Sequence, residues 1–314
     1  MPSDGLNSMS DAAIGQLLAL LSAVAFACSN VFISKGSTGG GDRGVMFSVL
    51  VTMVFSGVIW LTVEGGSLGN AAQVEWWAGV GWFALAGILA MVFGRTLLFA
   101  SIRKLGVTRA SAVKRLNPFF SVLLAFILLG EPVTGLDGVG IVAIALAFGL
   151  LIRRSFQRNQ TEVAAQTAPP SLASYGWGVG SALSYALAYI TRKYGLLLVA
   201  APAFGTMVSA VSGFAFFVIA SVFVTQYRTN FRNMFRNLNR WLVFAAFTVS
   251  LGQILLFSAL FYEKVSTVVM IASLEIFISS FLSVVVFRTE ARPDMETYVA
   301  ATVATLGVIA IAWT

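Results

Sequence analysis

Long apolar stretches, separated by short polar connections, recur along the whole chain. Each is about 18–25 residues long, enough for a helix to cross a hydrocarbon core roughly 30 Å thick, whereas a membrane strand needs only ~10 residues of alternating polarity. The pattern therefore predicts an all-α integral membrane protein with ten transmembrane helices, numbered here as spans 1 to 10. The predicted spans are 14–34, 45–63, 75–102, 107–130, 134–152, 174–193, 203–225, 240–262, 265–287 and 293–313.

The two halves of the chain resemble each other at matching positions. The segment GRTLLF (94–99) matches GQILLF (252–257) at an offset of 158 residues, and Trp82 matches Trp241 at an offset of 159. Self-similarity at a fixed offset is the mark of an internal repeat. The sequence therefore predicts that one helical unit occurs twice.

The predicted repeats are two five-helix units, at 14–152 and 174–313, joined by a cytoplasmic linker at 153–173. Because each has an odd number of spans, the second must enter the membrane in the opposite orientation. Inverted repeats are typical of secondary transporters, whose substrate site lies near the bilayer midplane at the repeat interface. The alternative is a duplication retained for packing alone.

Composition and charge agree with this class and set the orientation. Hydrophobic residues make up 58% of the chain and charged residues 11%, with a net charge of +7. Fourteen Lys and Arg residues fall on one face of the predicted bundle and three on the other. Because Lys and Arg concentrate on the cytoplasmic side, both termini are predicted outside an inner membrane, in the periplasm. We therefore interpret the basic runs as orientation signals and expect no nucleic-acid partner.

The sequence offers little for enzyme chemistry. It has no histidine and one cysteine, Cys28, so we expect no disulfide, no metal site, no cofactor and no catalytic residues. The glycine-rich segment SKGSTGGGDRG (34–44) has its lysine before the glycines and fails the phosphate-binding pattern. The start, MPSDGLNSMSDAAIG, has no basic region, and we do not expect it to be a cleaved signal peptide.

The fourth and fifth spans carry a family resemblance. Pro118 is followed by LLGE (128–131) and by the glycine-spaced segment GLDGVGIVAIALAFGLLI (135–152). With the five-plus-five layout, these motifs make the chain similar to the ten-span EamA-type transporters of the drug/metabolite transporter superfamily. The resemblance implies an inner-membrane carrier of small metabolites, amino acids or drugs, with a central cavity lined mainly by spans 1, 3, 4, 6, 8 and 9.

The second half departs from this pattern. It has Phe277 where the repeat predicts proline, and RTE (288–290), with Glu290 opposite Glu131, in place of LGE. We therefore expect span 9 to be straighter than span 4.

Span 4 carries the first group of candidate substrate-binding residues. Ser111, Lys114, Asn117 and Ser121 share one helix face, because residues three or four apart are neighbours on a helix. Pro118 cannot donate to the carbonyl of Lys114, which favours a kink that lines a cavity. Lys114 is predicted to contact an anion; the alternative is that it snorkels to the cytoplasmic interface. Arg115 points elsewhere, and we expect it to snorkel or to form a structural pair.

The other candidates lie on spans 1, 3, 6, 8 and 9. Charged residues inside a membrane usually face the interior of the bundle and have a function. Glu275 lies near the midplane and is predicted to bind substrate or a proton; the alternative is a structural partner for Lys114 or Arg95. The full set of predicted substrate-binding residues is Asn30, Arg95, Lys114, Asn117, Tyr185, Tyr189, Gln253 and Glu275.

Three functions remain open from the sequence. The first is a carrier for a small organic anion or zwitterion such as an amino acid, because the predicted interior contains three cations and one carboxylate. The second is a proton-coupled exporter of lipophilic cations, with Glu275 as the exchanging carboxylate. The third is a membrane scaffold or lipid-binding protein without transport. The expected partners are a small-molecule substrate, membrane lipid and, as coupling ions, protons, in a monomer or a homodimer.

Overall fold

A computed structural model of the chain describes residues 3–36, 43–66, 73–105, 110, 113–132, 134–163, 172–236, 238–288 and 295–312. The regular structure in these ranges is helical, and they contain no strand. One short helix, Thr225–Arg232, lies between spans 7 and 8.

The helices of the spans have the following bounds: Ser3–Gly36 in span 1, Arg43–Thr62 in span 2, Val74–Gly87 and Arg95–Leu105 in span 3, Asn117–Leu129 in span 4, Gly135–Val163 in span 5, Leu172–Leu198 in span 6, Pro202–Phe223 in span 7, Arg240–Tyr262 in span 8, Val265–Ala272 and Glu275–Phe281 in span 9, and Met295–Ala312 in span 10. Two π-helical segments, Ile88–Gly94 and Leu282–Val286, continue spans 3 and 9.

Among the residues that the structure describes, six helical segments are long and apolar enough to cross a membrane, namely Asp11–Gly36, Gly44–Thr62, Val74–Leu105, Pro202–Phe223, Arg240–Tyr262 and Val265–Val286. Spans 4, 5 and 10 add shorter apolar helices. The prediction of an all-α, multi-pass membrane protein is therefore confirmed, and the count of ten spans stays a prediction.

The chain divides into two compact units. Unit 1 consists of Met1–Ile88, Thr191–Lys264 and Ile271–Ala291, and unit 2 consists of Leu89–Ile190, Val265–Met270 and Arg292–Thr314. Each unit takes segments from both halves of the sequence, and the division falls inside spans 3, 6 and 9. The limits of the two repeats stay a prediction, because compact units and sequence repeats divide the chain differently.

Spans 1 and 8 pack closely in unit 1 along small residues. The Ser22 hydroxyl donates a hydrogen bond to the carbonyl oxygen of Gly252 at 2.8 Å. Phe26, one turn further on, lies against the same glycine, where an added Cβ would come 3.0 Å from the ring. Because Gly252 has no side chain, span 1 can approach the backbone of span 8.

Unit 2 contains the same arrangement between spans 6 and 3. The Ser181 hydroxyl donates to the carbonyl oxygen of Gly94 at 2.6 Å, and a Cβ on Gly94 would come 3.0 Å from the ring of Tyr185. Ser181 and Tyr185 follow Ser22 and Phe26 by the repeat offset of 159 residues. The similarity seen in the sequence therefore recurs as one contact in each unit.

Spans 3 and 7 meet in unit 1 at another glycine. A Cβ on Gly87 would lie 2.1 Å from the carbonyl oxygen of Ser209. Around this contact, the hydroxyls of Ser209 and Ser212 donate to the carbonyls of Phe83 and Ala84 at 2.7 and 3.0 Å. The two backbones are therefore too close for any side chain at position 87.

Replacing Gly87 by alanine is expected to destabilise the protein. The new methyl group must push the two helices apart, and overpacking of this kind costs about 1–3 kcal/mol. The measurement is the thermal melting of the purified protein in detergent. Gly81→Ala is the matched control, because Gly81 is in the same helix and a Cβ there would meet nothing within 4 Å. Equal melting temperatures for the two variants would contradict the close approach.

Candidate functional site

Span 4 is interrupted immediately before its apolar helix. The backbone N–H of Leu116 donates to the carbonyl of Val113 at 3.0 Å, and a regular helix begins only at Asn117, with Pro118 in its first turn. Proline suits this position because the first N–H groups of a helix have no partner within the helix. Lys114 therefore lies at a break in the helix.

Lys114 and Tyr185 come together in unit 2. The ammonium of Lys114 lies 4.9 Å from the centroid of the Tyr185 ring, a distance at which a cation is attracted to the aromatic face. The ring is held in place because it packs against Gly94, whose carbonyl accepts the Ser181 hydroxyl. Spans 3, 4 and 6 thus all contribute to the position of the Lys114 ammonium.

Arg95 lies next to this contact in sequence, directly after the π-helix Ile88–Gly94. A π-helical turn inside an α-helix is frequent at functional sites. The Nη1 atom of Arg95 is buried and has no hydrogen-bond partner among the described residues. A buried donor without a partner is costly, so this guanidinium suits a ligand that supplies an acceptor.

Two carboxylates described in unit 2, those of Glu131 and Asp137, accept hydrogen bonds at the starts of helices. Glu131 accepts hydrogen bonds from the backbone N–H groups of Val265 and Ser266 at 2.7 and 3.0 Å. Asp137 accepts from the backbone N–H and the hydroxyl of Thr134 at 2.9 and 2.8 Å. Among the acidic residues of unit 2, the structure describes the side chains of these two, and among the side chains that it describes there Lys114 and Arg95 have no carboxylate partner.

The polar stripe of span 4 is described in part. Asn117 is half-buried, and its side-chain oxygen accepts the Ser121 hydroxyl at 3.2 Å. Arg115, in the turn before Asn117, is also half-buried. Ser111 lies outside the described residues. Asn117 was predicted to share a helix face with Ser121, and the two side chains are in direct contact.

Span 9 is interrupted as well, although it lacks the proline of span 4, and which of the two spans is straighter stays a prediction. The N–H of Leu274 donates to the carbonyl of Ile271 at 3.1 Å, and the N–H of Phe277 donates to the carbonyl of Leu274 at 3.0 Å. These bonds span three residues instead of four, so the helix tightens at this point without any proline. A new helix then begins at Glu275.

Glu275 contacts span 1 in unit 1. The side-chain amide of Asn30 donates to Glu275 Oε1 at 2.6 Å. Asn30 is exposed and Glu275 is half-buried, so the pair is accessible from outside unit 1. Two candidates that the sequence placed on different spans are therefore brought together.

Gln253 and Tyr189 are both half-buried. Gln253 follows Gly252 in unit 1, as Arg95 follows Gly94 in unit 2. The repeat thus places an amide in one unit where the other has a cation. The role of these two residues in binding stays a prediction.

Arg192, one of the three cations predicted on the non-cytoplasmic face of the bundle, is buried in the structure. Only 5% of its surface is exposed, and its guanidinium lies 4.8 Å from the ring of Phe257 in unit 1. Span 6 was predicted to end at 193, whereas the helix continues to Leu198 and so encloses Arg192. The apolar segment GLLLVA (195–200) after it was the available signal.

The described residues contain no group of three or more His, Cys, Asp or Glu side chains that could hold a metal ion. The chemistry available at the two contacts is therefore that of an ammonium and a guanidinium in unit 2, and of a carboxylate and an amide in unit 1.

Comparison with known proteins agrees with this architecture. Residues 13–153 match the model of the EamA-like transporter family, which confirms the resemblance drawn from the sequence. A solved crystal structure, titled only as that of a protein, aligns over 94% of this chain and 95% of its own length, with a TM-score of 0.66 and 13% identity. At that identity the likeness shows the fold alone. No curated protein matches the sequence.

Proposed function

We propose, because residues 13–153 match the EamA-like transporter family, that this protein is a secondary carrier for a small organic anion or zwitterion, such as an amino acid. The family is one of membrane transporters of small molecules. In this proposal the cargo crosses an inner membrane by alternating access and is not chemically changed. The carrier is driven by a gradient or by exchange.

The cations of unit 2 are the observation that supports an anionic or zwitterionic substrate. The Lys114 ammonium is held over the Tyr185 ring at 4.9 Å, and Arg95 has a buried nitrogen without a hydrogen-bond partner in the described part of the chain. Each of these two cationic side chains costs free energy inside a membrane protein. A carboxylate or phosphate on the cargo would supply the missing acceptor, and charge-assisted hydrogen bonds of this kind are the strong ones.

Glu275 has a separate role in the proposal. Its carboxylate accepts a hydrogen bond from the Asn30 amide at 2.6 Å. Glu275 is also the first residue of the second helix of span 9. The Asn30 amide carries no charge, so this hydrogen bond does not neutralise the carboxylate. We assign it to the ammonium of a zwitterionic cargo or to a coupling proton.

An exporter of lipophilic cations is the second candidate. It is favoured by the carboxylate of Glu275, which accepts a hydrogen bond from the Asn30 amide, together with the aromatic side chains of spans 1 and 6. Against it, unit 2 holds the cations Lys114 and Arg95 in the membrane-spanning part of the chain, and these repel a cationic cargo. A scaffold without transport would leave the buried Arg95 nitrogen without a purpose.

Counterflow in proteoliposomes tests the proposal. Vesicles loaded with one unlabelled compound are diluted into its labelled form, after a thermal-shift screen of amino acids, dicarboxylates, phosphate esters, nucleosides and quaternary ammonium compounds. A ligand at ~100 times its dissociation constant stabilises the protein by about 2.7 kcal/mol. Accumulation of a carboxylate or amino acid supports the proposal. Accumulation of cations alone would favour the exporter, and no accumulation of any stabilising ligand would exclude a carrier.

Glu275→Gln separates the two roles of the binding residues. The substitution keeps the shape and a hydrogen bond to Asn30 but removes the charge. We expect uptake of amino acids to fall about tenfold, because a hydrogen bond to a charged group contributes roughly 1.5–3 kcal/mol, while uptake of simple carboxylates is retained. Glu75→Gln, at an exposed position in the first turn of span 3, is the control. Equal losses for both substrate classes would assign Glu275 a structural role instead.

A further inference from the structure

Four aromatic rings cluster at the end of span 1 that the sequence predicts to be cytoplasmic, and two of them contact a lysine. Phe32 lies 5.8 Å from Trp241, 5.9 Å from Phe244 and 5.8 Å from Phe287, between ring centroids. The Lys35 ammonium lies 4.6 Å from the centroids of both Trp241 and Phe287. We refer to Phe32, Trp241, Phe244 and Phe287 as the aromatic cage.

Local structure holds the cage together within unit 1. The Asn239 side chain donates to the carbonyl of Gly36 at 2.9 Å and accepts from the N–H of Leu242 at 2.9 Å, so it joins the end of span 1 to the start of span 8. A Cβ on Gly36 would come 2.9 Å from Leu242. The backbone of Lys35, the residue before Gly36, is thereby held beside Trp241 at the start of span 8.

The chemistry of the cage is that of an ammonium-binding site. Aromatic rings placed around one positive charge form the arrangement by which proteins recognise quaternary and methylated ammonium groups. Here the rings of Trp241 and Phe287 face the Lys35 ammonium. Within the described part of unit 1, Lys35 has no carboxylate partner, so the rings are what its charge contacts. The cage is half-buried to exposed, and Phe244 has 50% of its surface exposed, so a molecule from outside can reach it.

We propose that the aromatic cage is a binding site for alkylammonium groups, and that Lys35 occupies it as a tethered competitor. An external ammonium binds when the Lys35 side chain leaves. The flexible four-carbon stem of lysine permits this exchange, because its charged end can move into water while the stem stays against the rings. The site is independent of the proposed carrier function, since it requires neither Lys114 nor Glu275.

The test removes the competitor and measures binding of tetramethylammonium to the purified protein in detergent without lipid, by saturation-transfer NMR and thermal shift. Lys35→Met keeps an apolar stem without the charge, and Lys35→Ala vacates more space. Both are expected to bind tetramethylammonium about tenfold more tightly than the original protein, as expected for a cation on desolvated rings. Lys35→Arg retains a tethered cation and is expected to leave the affinity unchanged.

Two controls make the result specific. Choline is compared with 3,3-dimethylbutanol, which has the same shape without the charge, and only choline is expected to bind. Trp241→Leu in the Lys35→Met background is expected to remove the gain. The proposal is overturned if folded Lys35→Met and Lys35→Ala proteins bind no more tightly than the original, if the neutral compound binds equally, or if the gain survives Trp241→Leu.

The ammonium group can belong to a soluble amine or to a phospholipid headgroup. Nanodiscs of phosphatidylglycerol and of phosphatidylcholine distinguish these sources for the Lys35→Met protein. Binding of tetramethylammonium that persists in both assigns the site to soluble amines. Binding that disappears only in phosphatidylcholine assigns it to choline headgroups.

Discussion

Lys114→Ala is expected to lower the uptake of a carboxylate-bearing substrate by about 10- to 100-fold, because a hydrogen bond to a charged group contributes roughly 1.5–3 kcal/mol. The Lys114 ammonium is positioned by Tyr185, and the described carboxylates of unit 2 are bound to Val265, Ser266 and Thr134. The charge is thus available to the cargo. The measurement is the initial rate of counterflow over a range of substrate concentrations.

Lys104→Ala is the matched control for this prediction. Lys104 also lies over an aromatic ring of unit 2, at 5.3 Å from the centroid of Trp177, but it is exposed at the end of span 3. Its removal is expected to change uptake by less than about twofold, as is usual for surface substitutions. Lys114→Arg keeps the charge and should retain part of the activity. If Lys114→Ala transports as well as the original protein, Lys114 is not the anion contact.

The apolar helices were predictable because each follows from the length of an apolar run, while the count of ten spans stays a prediction. The break at Pro118 was also predictable, since proline removes a backbone donor. The repeat offset then relates the Ser22–Gly252 contact to the Ser181–Gly94 contact, although neither hydrogen bond could be read from one half alone. Sequence thus predicts elements and their correspondence, and the structure adds which faces meet.

The break in span 9 could not be predicted from residue types. Ser273 and Leu274 are neither glycine nor proline, yet the hydrogen bonds from Leu274 and Phe277 each span three residues. Such tightening arises from packing on both sides of the helix. Arg192 was misplaced for a related reason, because burial at the end of a span depends on how far the helix continues.

Glu131 shows how a residue marked by the sequence acquires a role only from the fold. The sequence identified it as part of LLGE and as the counterpart of Glu290. In the structure it is 8% exposed and accepts hydrogen bonds from both N–H groups at the start of span 9 and, at 2.6 Å, from the Ser266 hydroxyl. A carboxylate is favoured there, because helix N-termini carry unpaired donors and a partial positive charge.

Glu131→Gln is therefore expected to destabilise the protein by about 3 kcal/mol, since buried donors are left without an acceptor and charge-assisted bonds are lost. The amide has one oxygen for three donors, and its NH₂ group faces N–H groups. The measurement is the free energy of unfolding in detergent by denaturant titration, with transport assayed below the melting temperature.

Glu64→Gln is the informative comparison, because Glu64 accepts from the N–H groups of Ala203 and Phe204 at the start of span 7 in the same way, at 2.7 and 3.2 Å, but is only half-buried. Partial exposure lets water replace the lost acceptor, so its cost is expected to stay near 1 kcal/mol, the usual effect of losing a helix cap. A larger loss at Glu64 than at Glu131 would contradict the argument from burial. Val265, Ser266 and Glu131 all belong to unit 2. If Glu131→Gln lowers stability without shifting substrate preference, the role of Glu131 as a helix cap is separate from that of the binding residues.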